Sequence, residues 1–518
     1  MRRKQPNILL VMCDQLTAIA LSVYGNRVCR TPNIDRLAEQ GSVFENAYCN
    51  YPLCAPSRFA LMSGRLPSRI GAFDNAAEFP AAVPTIAHYL RDAGYYTCIS
   101  GKMHFVGPDQ HHGYEDRLTT EIYPADFSWV PPKTYDELED EEIVAKGKVP
   151  FGVSSVETIA DAGPFARSQQ IDYDDEVARR AAQHIFDWRR YGDGRPMFMT
   201  VSFTQPHDPY VITREYWDLY ADEGIDPPRT AKIPLDALDP HSRSLYFHYS
   251  LDKFEVTDEI YRRARRGYYG MISYVDRKLG ELRKTLEDAG IADETVIIFT
   301  SDHGDMIGER GLWFKKNLFD PAIRVPLVVY RPDGKGLSRI VAPVSLLDLL
   351  PTLVDLGGGD AGAFVTPHEG RSLLPLLAKD DPQRVTMAEH IDGGTKAPRV
   401  MLRCGARKIV VSKAYPTQLY DLAADPGETR NLADDPAFQP ELERLLEAVE
   451  AIWDLPKLRA EVMQSQRVRQ FVNRAMQKGK QRSWEHYPNP IEEHTRFVRT
   501  GERFPDVERR SYLPYADY

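Results

Sequence analysis

Two textures alternate along the first three quarters of the chain. Asn7–Cys13 (NILLVMC) is an apolar run with almost no polar break, the pattern of a strand covered on both faces. Tyr96–Ser100, Met197–Phe203, Thr295–Thr300 and Val325–Tyr330 repeat it. Between these runs, Asn33–Gln40, Thr85–Ala93, Tyr173–Trp188, Asp258–Ala289 and Val344–Leu356 carry helical periodicity. Gly41 and Gly94 mark where the first two helices stop. Strands alternating with helices predict an α/β fold, a large and mostly parallel sheet sandwiched by helices.

After about residue 395 the pattern changes. Val400–Ser412 and Gln418–Asp421 read as short antiparallel strands, and Glu441–Trp453 as a helix packed on them. The expected organisation is a large α/β domain over residues 1–395, a small α+β subdomain over 396–463 and a C-terminal tail over 464–518. That tail is polar and basic with little periodicity, and is studded with Phe471, Trp484, Tyr487, Phe497, Phe504, Tyr512, Tyr515 and Tyr518. Such an arm is expected to dock on its own body or on a neighbouring subunit, which predicts a homo-oligomer, a dimer or tetramer. Pro131–Ala166 is irregular and is expected to form a lid or rim.

Composition removes several classes. The 518 residues are 42% hydrophobic and 27% charged, enough for a substantial core. The net charge of -10 is spread over interspersed signs, and no basic block points to nucleic acid. No run approaches the roughly 18 apolar residues that cross a bilayer. Met1–Pro6 leads into a strand without a separate apolar region, so a cytoplasmic protein is expected. Cys13, Cys29, Cys49, Cys54, Cys98 and Cys404 are spaced like neither a disulfide framework nor a zinc site.

In open α/β sheets, ligands bind beyond the carboxyl ends of the strands. Asp14-Gln15, Lys102 with His104, His207, and Asp302-His303 all fall at such ends. Carboxylate and amide oxygens with one imidazole suit a single hard divalent cation, Ca²⁺, Mg²⁺ or Mn²⁺. Arg58, Lys102 and Lys315, and His104 and His207 if protonated, add the positive charge that a tetrahedral oxyanion needs as a bond breaks.

The most specific string is Cys54-Ala55-Pro56-Ser57-Arg58-Phe59-Ala60-Leu61-Met62-Ser63-Gly64-Arg65. It matches C-x-P-S-R-x-x-L-x-[ST]-G-R at every fixed position, and so resembles the formylglycine-dependent sulfatases of the alkaline phosphatase superfamily. Pro6–Gln15, Thr31–Gly41, Gly101–His104 (GKMH), Pro206–Pro209 (PHDP), Thr300–Gly304 (TSDHG), Arg324–Leu327 (RVPL) and Gln418–Leu422 (QLYDL) extend the resemblance, with Asp425-Pro426 and Asn431-Leu432. The resemblance implies that a formylglycine-generating enzyme or equivalent maturase oxidises Cys54. It implies one metal ion held by Asp14, Gln15, residue 54, Asp302 and His303. One hydroxyl of hydrated formylglycine 54 would attack sulfur, with Asp14 or a neighbouring metal-bound oxygen helping to take its proton. Lys315 and His207 would hold the sulfate and assist the leaving alcohol, and Lys102 and Arg58 would orient the anion. His104 would take the proton of the second hydroxyl as sulfate departs. Lys315 is preferred to Lys316 because it lies nine residues before Arg324.

Two departures bear on metal and substrate. The commoner first metal pair is Asp-Asp, here Asp14-Gln15; the commoner second is Asp-Asn, here Asp302-His303. These variants resemble the subgroup of choline sulfatases, dimeric arylsulfatases and phosphonate monoester hydrolases, and leave Mn²⁺ beside Ca²⁺ as the expected ion. Phe73–Phe79 and Leu118–Trp129 resemble choline sulfatases; Asn75 would then sit near the substrate, and Trp129 would face a quaternary ammonium. Val149–Gln169, however, lacks the Trp and His expected of that group. An arylsulfatase-like sulfate monoesterase is therefore the first reading and choline sulfate the second. Phosphonate or phosphate ester hydrolysis is the rival chemistry, disfavoured by Lys102 and His104. An inactive anion-binding protein on the same scaffold is a rival of another class, opposed by the complete set of polar residues.

Overall fold

The computed structural model describes residues 5–134, 154–334, 338–359, 364–391, 393–480, 482–488 and 503–512. Its large sheet contains β1 (Asn7–Cys13), β2 (Ser42–Tyr48), β3 (Tyr96–Gly101), β4 (Asp116–Arg117), β5 (Met197–Ser202), β6 (Thr295–Ser301), β7 (Arg324–Val325), β8 (Leu327–Tyr330) and β9 (Arg339–Ser345). The strands lie in the order β9-β2-β8-β6-β1-β5-β3-β4, with β7 on the margin of β2. β6, β1, β5, β3 and β4 run parallel, and β8 runs antiparallel to both its neighbours.

The helices that matter here are α1 (Pro32–Gln40), α2 (Cys54–Ser63), α3 (Ile86–Asp92), α4 (Gln169–Tyr191), α5 (Asp258–Asp288) and α6 (Leu349–Leu356). The apolar run of β1 is explained by its two faces. Leu9, Val11 and Cys13 join the core under α1, α4 and α5, while Ile8, Leu10 and Met12 join the core under α2, α3 and α6. A central parallel strand must be apolar at every position for this reason.

A second sheet of β10 (Val385–His390), β11 (Arg399–Cys404), β12 (Arg407–Ser412) and β13 (Gln418–Asp421) is antiparallel in chain order. It packs with α7 (Gln439–Ile452), α8 (Leu455–Met476) and the flank of α2. It begins at Val385, ahead of the boundary expected at 395. Three further expectations are corrected. Val344 and Ser345 close β9 rather than open a helix. Pro326, which has no N–H to give a ladder, splits the run Val325–Tyr330 into β7 and β8. The tail is not irregular from 464, because α8 runs through that point.

The period of α8 was hidden because polar residues fill its last inward positions. Leu455, Leu458 and Val462 are buried, but so are Gln466 and Arg469 at the next helical spacings. Arg469 forms two hydrogen bonds to the buried Asp74, at 2.6 and 2.7 Å. Beyond α8, Trp484 packs edge-on against Phe127 and Glu485 accepts the Ala125 N–H at 2.8 Å. The last described segment is α9 (Phe504–Ser511). Phe497, Tyr515 and Tyr518 lie outside the described residues, as does most of the expected lid; its described part carries a short helix, Val156–Ala160.

Candidate active site

The four strand ends meet because their strands are neighbours in register. Cys13 pairs with Ser301, and Gly101 with Ser202, so Asp14, Lys102 and Asp302 leave the sheet side by side. Gly101 has φ +108, and a Cβ there would sit 2.0 Å from the Ser202 carbonyl oxygen. Only glycine permits that approach, which brings Lys102 to the site. His207 follows β5 on a loop held by Asp174. That carboxylate accepts the Thr204 and Gln205 N–H groups at 2.8 and 3.0 Å.

Cys54 is the first residue of α2, and its neighbour Ala55 donates its N–H to Asn75 Oδ1 at 3.0 Å. Asn75 thus serves the start of the helix that carries Cys54. The Cys54 Sγ lies 3.3 Å from His303 Nε2, 3.6 Å from Asp14 Oδ1 and 3.6 Å from Lys315 Nζ. Ligand atoms of Asp14, Cys54, Asp302 and His303 all fall within 4.8 Å of one another. The donor set fits a divalent cation: two carboxylates and one imidazole, all fully buried. His303 Nδ1 lies 3.0 Å from the Gly304 carbonyl, which fixes the proton there and turns Nε2 toward the cluster. Gln15 Oε1 faces Lys315 Nζ at 2.5 Å on the margin of the same cluster.

Charge is matched by buried pairs. Arg58 donates to Asp302 Oδ2 at 2.8 Å and to Ser202 Oγ at 2.8 Å, and Lys102 pairs with Asp14. Burial alone would raise the Asp14 carboxyl, but the Lys102 ammonium beside it holds it well below the usual range. Burial pushes the Cys54 thiol up to about 11, helped by Asp14, so the unconverted thiol is no ready nucleophile in this arrangement.

The condition placed on the two histidines is not met. Burial, with Lys315 beside it, lowers His207 to about 4, and burial with Lys102 holds His104 well below its ordinary value. Both are neutral at physiological pH rather than cationic. His207 Nδ1 lies 2.6 Å from the Asp208 carbonyl, leaving Nε2 to accept from Lys315 Nζ at 2.7 Å. His104 adopts a left-handed φ of +56, pinned by Glu121, which accepts the N–H groups of Met103 and His104 at 2.9 and 2.6 Å. Both His104 ring nitrogens and Arg58 Nη2 are buried with no hydrogen-bond partner among the described residues, as suits groups reserved for an anion or a proton. Lys316 is turned away, its Nζ 3.1 Å from His248 Nε2. Lys315 is the lysine at Cys54.

Above this floor stands a wall that only the folded chain reveals. Tyr123 lies over Lys102 Nζ at 4.0 Å, and Trp129 packs against Tyr123 and His104 with ring centroids 5.0 and 5.6 Å apart. Phe504 of α9 closes on Tyr123 and His207, at 6.1 and 6.2 Å. Glu508, one turn along α9, is fully buried, and burial with Asp208 nearby raises its carboxyl to about 8. Trp129 was legible in the sequence. Tyr123 lay in the same stretch, Leu118–Trp129, without being singled out; Phe504 was one aromatic of the tail, and Glu508 had no signal. Even Lys315, at 4% exposed, is almost wholly covered.

Comparison with known proteins agrees with this geometry. The family model described as Sulfatase matches residues 6–359, and that described as Choline sulfatase enzyme C terminal matches 460–512. The choline-sulfatase of Rhizobium meliloti is 42% identical over 490 residues, covering 93% of this chain and 94% of its own. An arylsulfatase of Clostridium perfringens is 27% identical over 472 residues, covering 85% of this chain and 93% of its own. The phosphonate monoester hydrolase of Agrobacterium radiobacter shares the fold with a TM-score of 0.66 at 24% identity, covering 88% of this chain and 96% of its own.

Proposed function

The chain belongs to the sulfatase family and is a sulfuric ester hydrolase, and from that premise we propose that its substrate is choline sulfate, cleaved with formylglycine at position 54 and one divalent ion. The observation that carries the choice of ester is the aromatic wall of Trp129, Tyr123 and Phe504. Aromatic faces suit a quaternary ammonium through cation–π attraction, and the choline-sulfatase of Rhizobium meliloti is the relative that matches at 42% identity. The reading placed second from the sequence thus moves ahead of the aryl sulfate.

Asp14, Asp302 and His303, with Gln15 and residue 54, would hold the metal ion, Mn²⁺ or Ca²⁺. When bound, the ion supplies positive charge to the sulfuryl oxygens and lowers the pKa of the attacking hydroxyl. Hydrated formylglycine supplies two hydroxyls on one carbon, one to attack and one to expel sulfate afterwards. Arg58 and Lys102, each tied to a carboxylate, hold the anion without moving. Lys315 is an ammonium facing neutral His207, and this pair delivers a proton to the departing alcohol oxygen. His104, neutral and with both ring nitrogens uncommitted, takes the proton of the remaining hydroxyl.

The test is a parallel initial-rate assay of converted, metal-replete enzyme on choline sulfate, p-nitrophenyl sulfate and the p-nitrophenyl ester of phenylphosphonate. We expect kcat/KM to be highest for choline sulfate. Trp129→Ala should lower it for choline sulfate by roughly 5- to 30-fold, the worth of a desolvated cation–π contact, and much less for p-nitrophenyl sulfate. An equal loss on both sulfates would remove the case for a choline pocket. A preference of the wild type for the phosphonate would overturn the sulfate assignment itself.

A further inference from the structure

Gln15 is a fully buried residue with a left-handed φ of +66, and the two ends of its amide face opposite charges. Oε1 accepts from the Lys315 ammonium at 2.5 Å. Nε2 donates to Asp305 Oδ2 at 2.6 Å and to Asp208 Oδ1 at 3.2 Å. This pattern fixes the amide orientation chemically. A flipped amide would set N–H against an ammonium and oxygen against two carboxylates. Asp208 is the weaker holder, at 3.2 Å against 2.6 Å, and its carboxylate is held in turn by Ser154 and Thr158 at 2.8 and 2.9 Å. Asp305 is the stronger. Its Oδ2 also accepts from Tyr210 Oη at 2.8 Å, and its Oδ1 takes the Ile307 and Phe314 N–H groups at 2.7 and 2.9 Å. Asp305 therefore ties Gln15 to the backbone segment that leads directly to Lys315.

We propose that Asp305 is a positioning residue of the metal centre, which orients the Gln15 carbonyl oxygen toward the cation and polarises it into a stronger ligand. The proposal rests on the metal site described above. A carboxylate that accepts the N–H of a ligand draws electron density toward the ligating atom, so negative charge missing from the ligand shell is supplied from behind. Asp305→Asn keeps Oδ1 for Ile307 and Phe314 but sets an NH₂ against Gln15 Nε2 and the Tyr210 hydroxyl. The Gln15 amide must then flip, and its N–H groups turn toward the cation.

The experiment is calorimetric titration of Mn²⁺ into the chelator-stripped full chain, with position 54 in one state of conversion in every sample. The wild type should bind one ion. Asp305→Asn should bind it roughly 10- to 100-fold more weakly, with an apo thermal midpoint close to the wild type's. The exchange Gln15→Glu/Asp305→Asn should recover most of the lost affinity, because a carboxylate at position 15 accepts from the amide introduced at position 305 while its other oxygen meets the ion. Gln15→Glu alone is the second variant, independent of whether Asp305→Asn folds. Its new carboxylate faces Asp305 and Asp208, so it should bind Mn²⁺ no more tightly than the wild type. Wild-type affinity in Asp305→Asn, no recovery in the exchange, or a marked gain in Gln15→Glu alone would each overturn the proposal. A wild type that binds no Mn²⁺ would instead remove the metal site on which it rests.

Discussion

The floor of the site and the wall above it are held by different forces. Asp14, Lys102 and Asp302 leave adjacent strands of one sheet, and their charges are matched by ion pairs with no solvent exposure. Loss of one partner there strands a buried charge, which costs about 3–5 kcal/mol. The α9 part of the wall is fastened by Arg503 to Glu157 and Arg509 to Asp161, pairs whose side chains are between 21% and 64% exposed. Such pairs contribute about 0–1 kcal/mol each. The charged groups of the floor thus sit on the sheet, while the ion pairs that tie α9 to the body lie near the surface.

The comparison can be broken most sharply at the floor. Cys54→Ser should abolish steady-state turnover while leaving the thermal midpoint unchanged. A serine can accept the sulfuryl group but has no second hydroxyl with which to expel it, so one equivalent of alcohol per enzyme is the most expected. Sustained turnover by this variant would sink the formylglycine mechanism.

The next effect asks on which side α8 belongs. It comes from the expected tail, yet Arg469 anchors it to Asp74, beside the Asn75 that supports the start of α2. Arg469→Ala should leave Asp74 buried without its two hydrogen bonds and cost about 3–5 kcal/mol in denaturant unfolding. A cost below about 1 kcal/mol would place α8 with the loosely held wall.

The smallest effect sharpens the wall. The Glu508 carboxyl, 4.5 in its ordinary setting, is raised to about 8 when α9 is docked. Below 4.5 it is protonated whether α9 is docked or not. Between 4.5 and about 8 the docked form holds a proton that the undocked form has lost, so docking weakens as pH rises through that window. Hydrogen-exchange protection of 503–512 should therefore fall as pH rises from 4.5 to about 8, after correction for intrinsic exchange. Glu508→Gln should flatten that slope, and an unchanged slope would assign it to another group.

How far the sequence could be read follows the same division. Much of the floor was legible because its residues directly follow or open a regular element: Asp14 after β1, Lys102 after β3, Asp302 after β6, Cys54 at the start of α2. Local pattern places such residues without knowledge of the whole fold. The protonation of His104 and His207 was not legible, because neutrality comes chiefly from burial, with Lys102 beside His104 and the remote Lys315 beside His207. The helix through 464 was missed because its inward-facing Gln466 and Arg469 are polar.

By itself the sequence determined the α/β architecture, the strand ends that carry the reactive groups, the signature around Cys54 and the substitution of Gln15 for a carboxylate. Each of these is written in residues close together along the chain, where spacing and periodicity operate. Only the tertiary structure decided that Asp305 and Asp208 grip the Gln15 amide, that Lys316 turns to His248 while Lys315 meets Cys54, and that Phe504 closes on Tyr123 and His207. Those contacts join segments far apart along the chain, and their cause is packing and buried charge, which no local pattern records.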